Sequence, residues 1–291
     1  MKKCCALLRR VRCLDKFEHQ AQINKGRYGV RRMQIMTVGE LYNYLDKIAP
    51  FANQDKTDNA GLLVGDYDAE VENILICLDA TNSVVAEAVG KGIDLIIAHH
   101  PLLHRPISEI ISDDPLHALV RNNINFIAAH TNLDVAIGGI ADLMLARLGF
   151  PKSDIVIIPI NPDGTGYGRI IELNAPVSAG DLAEKCKTAF GCTAVRYVDS
   201  GKPILRIGVS SGSAEESVEA ALHADCDVFI CGEVCYDKMI FASNYGMTLI
   251  EAGHFHTEDI FCEDLVDRLK SQFKELTIEK STNSVDVCDY R

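Results

Sequence analysis

Leu95-Ile96-Ile97-Ala98-His99-His100-Pro101-Leu102 is the stretch that decides the fold. A short apolar run, stopped by two histidines and a proline, reads as a buried strand whose end carries polar side chains. Pro101 cannot donate to a ladder and holds His100 extended, which marks where the strand stops. Adjacent side chains on a regular strand point to opposite faces, so His99 and His100 share a site only if the chain leaves strand geometry there.

Outward from this run the pattern recurs. Residues 73–78, 94–98 and 124–129 are expected to be strands, with helices over 83–91 and 115–122 between them and a further helix over 139–148. The second half repeats the theme, with strands over 205–209, 227–231 and 248–251 and helices over 214–223, 236–243 and 258–271. Strands over 155–160 and 169–174 flank the turn-rich Asn161-Pro162-Asp163-Gly164. Strands alternating with helices specify a layered α/β fold. The expected organisation is two α/β lobes, residues 36–150 and 151–280, forming one composite unit, with a basic leader over 1–35 and a tail over 281–291.

At 291 residues and 47% apolar, the chain can bury a large core. No run approaches the roughly 20 apolar residues of a membrane span, and the start lacks a secretory signal, so a cytoplasmic protein is expected. The 11 cysteines include no CxxC pair, and several, such as Cys77 and Cys231, sit inside apolar runs, which fits reduced core thiols rather than a disulfide framework. The net charge of −12 is unevenly spread: residues 1–33 carry +8 and the remainder −20. Such an acidic body is a poor surface for phosphate backbones and argues against nucleic-acid binding. Met33 and Met36 precede the first well-patterned segment, so the leader is expected to be disordered and dispensable, upstream sequence read from an early start codon.

Six of the nine histidines fall in three segments that each begin where an expected strand ends. Open α/β sheets gather ligands at the carboxyl ends of their strands. The first segment is His99-His100-Pro101, with His104 close behind. The second is His130-Thr131-Asn132-Leu133-Asp134, which offers an imidazole and a carboxylate suited to Zn, Fe(II) or Mn(II). The third is Gly253-His254-Phe255-His256-Thr257-Glu258. If Thr257 caps a helix starting at Glu258, Gly253 permits a tight turn that brings His254 and Glu258 to one point. Each segment alone has a plainer reading, as a capped turn, a helix cap at Asp134, or a surface pair, and the force lies in their combination. Glu233, after the apolar run ending at Cys231, is a further candidate as proton acceptor or supporting partner. His130, His104 and His256 are candidates for proton transfer or for orienting ligands. Arg105 is the nearest cation for a phosphate.

Taken in order, Asp58-Asn59-Ala60-Gly61, Ala98-His99-His100-Pro101-Leu102, His130–Asp134, Gly232-Glu233 and Gly253–Glu258 resemble the motifs of the GTP cyclohydrolase I type 2 homologues, the NIF-three-like dinuclear metal proteins. The resemblance spans about residues 36–280. It implies two lobes of related fold, two divalent metal ions held by His99, His100, Asp134, His254 and Glu258, and a ring-shaped homohexamer with the sites facing its interior. It also implies hydrolysis of a nucleotide or similar small molecule, under the family name the opening of the guanine imidazole ring of GTP with release of formate. His130 and Glu233 are the catalytic candidates. A non-catalytic metal-holding scaffold or regulatory interaction protein is the alternative the resemblance carries. The chain has the short form, without an inserted middle domain, and places Thr57 and Cys231 where relatives often have tryptophan and threonine.

Overall fold

Alternate residues of the apolar runs face opposite ways, and in this protein both faces are covered. The computed structural model describes residues 36–150, 156–159, 164–289 and 291. The leader expected over 1–35 lies outside the described residues, and residues 36–291 form one compact unit.

The first lobe opens with β1 (Met36–Thr37), α1 (Val38–Ile48), β2 (Gly61–Val64) and β3 (Glu70–Val71). Thr37 starts α1 in a reciprocal capping box, its hydroxyl accepting the Glu40 N–H while the Glu40 carboxylate accepts the Thr37 N–H. The chain then runs β4 (Asn73–Cys77), α2 (Asn82–Lys91), β5 (Leu95–Ala98), α3 (Pro115–Arg121) and β6 (Asn125–Ala128), followed by the short α4 (Thr131–Val135) and by α5 (Ile140–Arg147). Strands β4, β5 and β6 are parallel, and β2 closes one edge antiparallel to β6.

The second lobe repeats this unit. After β7 (Val156–Ile158), β8 (Gly168–Val177), α6 (Ala179–Phe190) and β9 (Arg196–Val198), it runs β10 (Ile204–Val209), α7 (Glu215–His223), β11 (Val228–Cys231), α8 (Tyr236–Tyr245) and β12 (Thr248–Glu251). Strands β10, β11 and β12 are parallel, and the antiparallel β8 and β9 flank them. The chain ends with α9 (His254–Glu258), α10 (Ile260–Gln272) and β13 (Thr277–Lys280).

Two departures from the sequence reading matter. Residues 258–271 are not one helix capped by Thr257: the turn of α9 begins at His254 after Gly253, whose φ is +89°, and α10 follows it. His254 and Glu258 therefore stand one helical turn apart on the same face. The sequence reading also marks no strand over residues 277–280. Helix α10 packs against β13, β4 and α5 and delivers β13 to the first sheet, where it pairs parallel to β4. Residues 281–283 are then fastened to α2. Glu87 accepts from Ser281 Oγ at 2.6 Å, from both the amide and the hydroxyl of Thr282, and from the amide and side chain of Asn283.

Period-two alternation assigns the core. Ile74 and Ile76 on β4 and Leu95 and Ile97 on β5 face a central layer that also takes Ile207, Val209 and Ile230 of the second sheet together with α5 and α10. Leu75, Cys77, Ile96 and Phe126 face α2 and α3 instead, while Phe229 and Leu249 face α7 and α8. Each such side chain, fully buried, contributes roughly 1.5–3 kcal/mol of hydrophobic stabilisation. Strands covered on both faces read as unbroken apolar runs, which is why the sequence marks them so clearly.

Candidate metal centre

Six of the seven parallel strands of the two sheets, all but β13, end at one place, and each end delivers a polar side chain. Asp79 follows β4, His99 and His100 follow β5, and His130 follows β6; Ser211 follows β10, Glu233 follows β11, and His254 follows β12. The two histidines of the first segment lie just past the last β5 residue, with their amides bonded to Cys77 and Leu78 carbonyls, so they escape strict alternation.

His99 is fully buried, and its Nδ1 donates to the Ala129 carbonyl at 2.7 Å. His100 Nδ1 meets Asp79 Oδ1 at 2.7 Å, and His254 Nδ1 meets Glu233 Oε1 at 2.9 Å. With Nδ1 carrying the hydrogen toward an oxygen acceptor in each case, the lone pair of each imidazole sits on Nε2. Those nitrogens converge on two carboxylates. His99 Nε2 is 3.8 Å from Asp134 Oδ1 and 3.7 Å from Glu258 Oε1, whereas His100 Nε2 and His254 Nε2 lie 3.0 and 2.9 Å from Glu258 Oε2. Glu258 is thus divided between two donor sets, one with His99 and Asp134 through Oε1 and one with His100 and His254 through Oε2.

Buried His99 Nε2, His254 Nε2 and Glu258 Oε2 have no hydrogen-bond partner. Lone pairs crowded together in a buried site are stable around a cation, or with protons shared among them. The donor set of imidazole and carboxylate, each imidazole held by an oxygen on its far side, is the arrangement a divalent ion takes. Without an ion, protons carry the compensating charge. Burial pulls His100 down, but bonds to Asp79 and Glu258 raise it to about 10. Burial likewise opposes His254, which Glu258 and Glu233 raise to about 9. Burial pushes the Asp134 carboxyl up; it would do the same to Glu258, which the charge of His99 and bonds from His100 and His254 hold well below the ordinary range.

Glycine makes the centre sterically possible at one point. Gly212, on the loop after β10, has φ +55°, and a Cβ there would fall 1.9 Å from Glu258 Oε1 and 3.2 Å from His254 Nε2. Thr257, rather than capping a helix, accepts the Gly212 N–H and donates to the Gly253 carbonyl, tying this loop to α9.

The other sequence candidates are placed as follows. His130 Nδ1 meets Asp58 Oδ1 at 2.8 Å, and Asp58 is held in turn by the amide and hydroxyl of Thr131. Burial alone would raise the Asp58 carboxyl, but these bonds carry it far below the usual carboxylate range. His104 is exposed, 3.8 Å from Asp58. Glu233 is the partner of His254. His256 turns away to Asp286, and Arg105 is exposed and does not line the cavity beside the centre. Sequence reasoning missed Asp79 as a partner of His100, although it follows a strand end as the histidines do. It also missed the Ser210-Ser211-Gly212-Ser213 loop, whose Ser211 hydroxyl donates to Asp134 at 3.2 Å.

The centre opens on a cavity of about 360 Å³, lined from one side by His100, His130, Asp134, His254 and Glu258 and elsewhere by Asp55, Tyr167 and the start of α7. The model of the Duf34/NIF3 (NGG1p interacting factor 3) family matches residues 36–286. The chain belongs to that family. Among DUF34/NIF3 relatives, a Clostridium acetobutylicum protein named GTP cyclohydrolase 1 type 2 homolog is 35% identical over 229 residues, covering 77% of this chain and 85% of the relative. A Helicobacter pylori protein named GTP cyclohydrolase 1 type 2 is 28% identical over 86% of this chain and 98% of its own. A Staphylococcus aureus hypothetical protein of known crystal structure superposes with a TM-score of 0.81 at 27% identity, over 88% of this chain and all of that one. The mixed α/β architecture read from the sequence is that of the NIF3 superfamily structures.

Proposed function

We propose that this DUF34/NIF3 protein holds two divalent ions, Zn, Fe(II) or Mn(II), with His99, His100, Asp134, His254 and Glu258, and hydrolyses a nucleotide or a related small molecule. The observation that carries the proposal is the division of Glu258: its two oxygens serve two donor sets beside an open cavity. Two ions held by these residues would supply Lewis-acid activation of water and of the group it attacks. The relatives named for GTP cyclohydrolase make ring opening of a guanine compound, with formate released, the first reaction to assay.

The chain's own residues supply position and proton handling. Asp79, Glu233 and the Ala129 carbonyl orient three imidazoles. Asp58 fixes the tautomer of His130 and leaves its Nε2 for the cavity, where it is placed to hold or pass a proton. Among the described residues no helix is long and apolar enough to cross a membrane. A homohexamer is the assembly the family resemblance implies.

Elemental analysis of protein purified without chelators or an affinity metal tests the first half, with two equivalents per chain expected. Formate release from GTP by the loaded protein tests the second. Two ions without turnover on any nucleotide would favour the scaffold reading, and a protein that neither carries nor takes up Zn, Fe(II) or Mn(II) would end both.

A further inference from the structure

Of the three histidines on the loop after β5, His104 alone takes no part in the centre. Its half-exposed side chain turns Nδ1 to the Asp58 carboxylate, 3.8 Å from Oδ1. That separation is too long for a hydrogen bond. It suits two ligands of one ion, because bonds of about 2.1 Å opening at about 90–130° set donor atoms roughly 3.0–3.8 Å apart. His130 Nδ1 lies 2.8 Å from the same Asp58 oxygen, and the donor atoms of Asp58, His104 and His130 all fall within 4.8 Å of one another.

Three separate loops supply these donors, and hydrogen bonds outside the donor atoms already hold the loops together. Asp58 lies on the loop before β2, His104 on that after β5, and His130 on that after β6. Asn59 Nδ2 donates to the Leu103 carbonyl at 2.5 Å, which ties the first loop to the second beside His104. The amide and hydroxyl of Thr131 donate to Asp58 Oδ2, which ties the first to the third and leaves Oδ1 for the two imidazoles. The Asp58 side chain is only 2% exposed, and among the described residues no lysine or arginine pairs with it. A carboxylate so enclosed needs positive charge near it, and the side of the cluster left open is the side of His104.

We propose that Asp58, His104 and His130 form a third metal site, separate from the centre, for an exchangeable divalent ion such as Zn(II). Two imidazoles and a carboxylate with the remaining positions open to solvent are a donor set that zinc accepts. Because one ligand is half exposed, the ion is held less tightly than the pair in the centre. It takes the Nδ1 that His130 now turns to Asp58, so the hydrogen of that neutral ring moves to Nε2. The His130 ring stands 5.1 Å from that of His99. Occupancy of the third site therefore changes His130 from acceptor to donor beside the centre without touching the five ligands there.

Equilibrium dialysis of the full-length protein against buffered Zn(II), with elemental analysis at each free concentration, tests this. The parent protein is expected to take up one equivalent more at high free Zn(II) than at low. His104→Ala, a change at an exposed side chain, should raise the half-saturating concentration of that step roughly tenfold or more and leave the content at low Zn(II) unchanged. Glu258→Ala, expected to empty the centre, should keep the step, and the Glu258→Ala, His104→Ala double variant should lose it, so failure of the two-ion reading and failure of the third site are told apart. Cys235→Ser and Cys288→Ser should leave the step intact. An unchanged step in His104→Ala, or its loss on replacing either exposed cysteine, means an adventitious ion only and overturns the site, as does the absence of any step in the parent protein.

Discussion

Glu233 at the end of β11 holds Nδ1 of His254 at 2.9 Å as Asp79 at the end of β4 holds Nδ1 of His100 at 2.7 Å, one such pair from each lobe. Each carboxylate orients its imidazole and makes it a better donor. Asp79→Asn and Glu233→Gln are each expected to weaken metal retention by roughly 10–100-fold without emptying the site, as partners of this kind do elsewhere. Competition against a chelator of known affinity measures this, and retention equal to the parent protein would reduce both residues to solvated loop carboxylates.

Because Glu258 is shared and His254 is not, their removal has unequal effects. Glu258→Ala is expected to take the metal content from two ions to near none, and His254→Ala to about one. Equal losses from the two variants would show that the carboxylate does not bridge.

Gly212 predicts a steric effect at the same carboxylate. Gly212→Ala sets a methyl group 1.9 Å from Glu258 Oε1 on a left-handed backbone, so Glu258 must move. The expected cost is about 1–2 kcal/mol of stability together with loss of at least one ion, read by urea unfolding and elemental analysis. An unaltered metal content would show that the loop after β10 yields instead.

Arg169 joins the lobes behind the centre. It is buried, its Nε is 3.3 Å from Asp142 of α5, and it donates to the Val135 and Ala136 carbonyls that follow Asp134. Arg169→Met takes the cation from buried Asp142 and the donor from four carbonyls, those of Gly166 and Gly168 included, and a loss of roughly 3–5 kcal/mol is expected in denaturant unfolding. A loss under 1 kcal/mol would mean that water replaces the guanidinium there.

Acid should release the C-terminal segment before it unfolds the protein. Burial raises Glu87, but bonds from Lys91, Ser281 and Thr282 dominate and hold it at about 2. A carboxyl whose folded value lies below its unfolded one, ordinarily about 4.3, stabilises fully above the unfolded value and loses that contribution as pH falls toward the folded one. Amide exchange at Thr282 and Asn283 is expected to accelerate as pH falls from about 4.3 toward 2, after correction for the intrinsic rate. Glu87→Gln should show the faster exchange at every pH. A pH-independent opening equilibrium would refute the assignment.

The parallel strands were legible because burial on both faces writes them as apolar runs, and the histidine segments because they interrupt those runs. What stayed hidden was non-local. Nothing near Thr277-Ile278-Glu279-Lys280 tells the chain that its partner is β4, some two hundred residues earlier. Strand β9 is half solvated, and the partnership of Asp79 with His100 depends on two loops meeting. Thr257 misled because a threonine before an acidic residue reads as a cap, whereas its hydroxyl serves the loop at Gly212.

The late return of β13 to the first sheet governs how the protein comes into being. During synthesis β4 emerges long before its neighbour, and it waits with an open ladder edge until nearly the whole chain has left the ribosome. A chain stopped short of residue 277 keeps that edge, and the strand nearest to hand is the β4 of another unfinished copy.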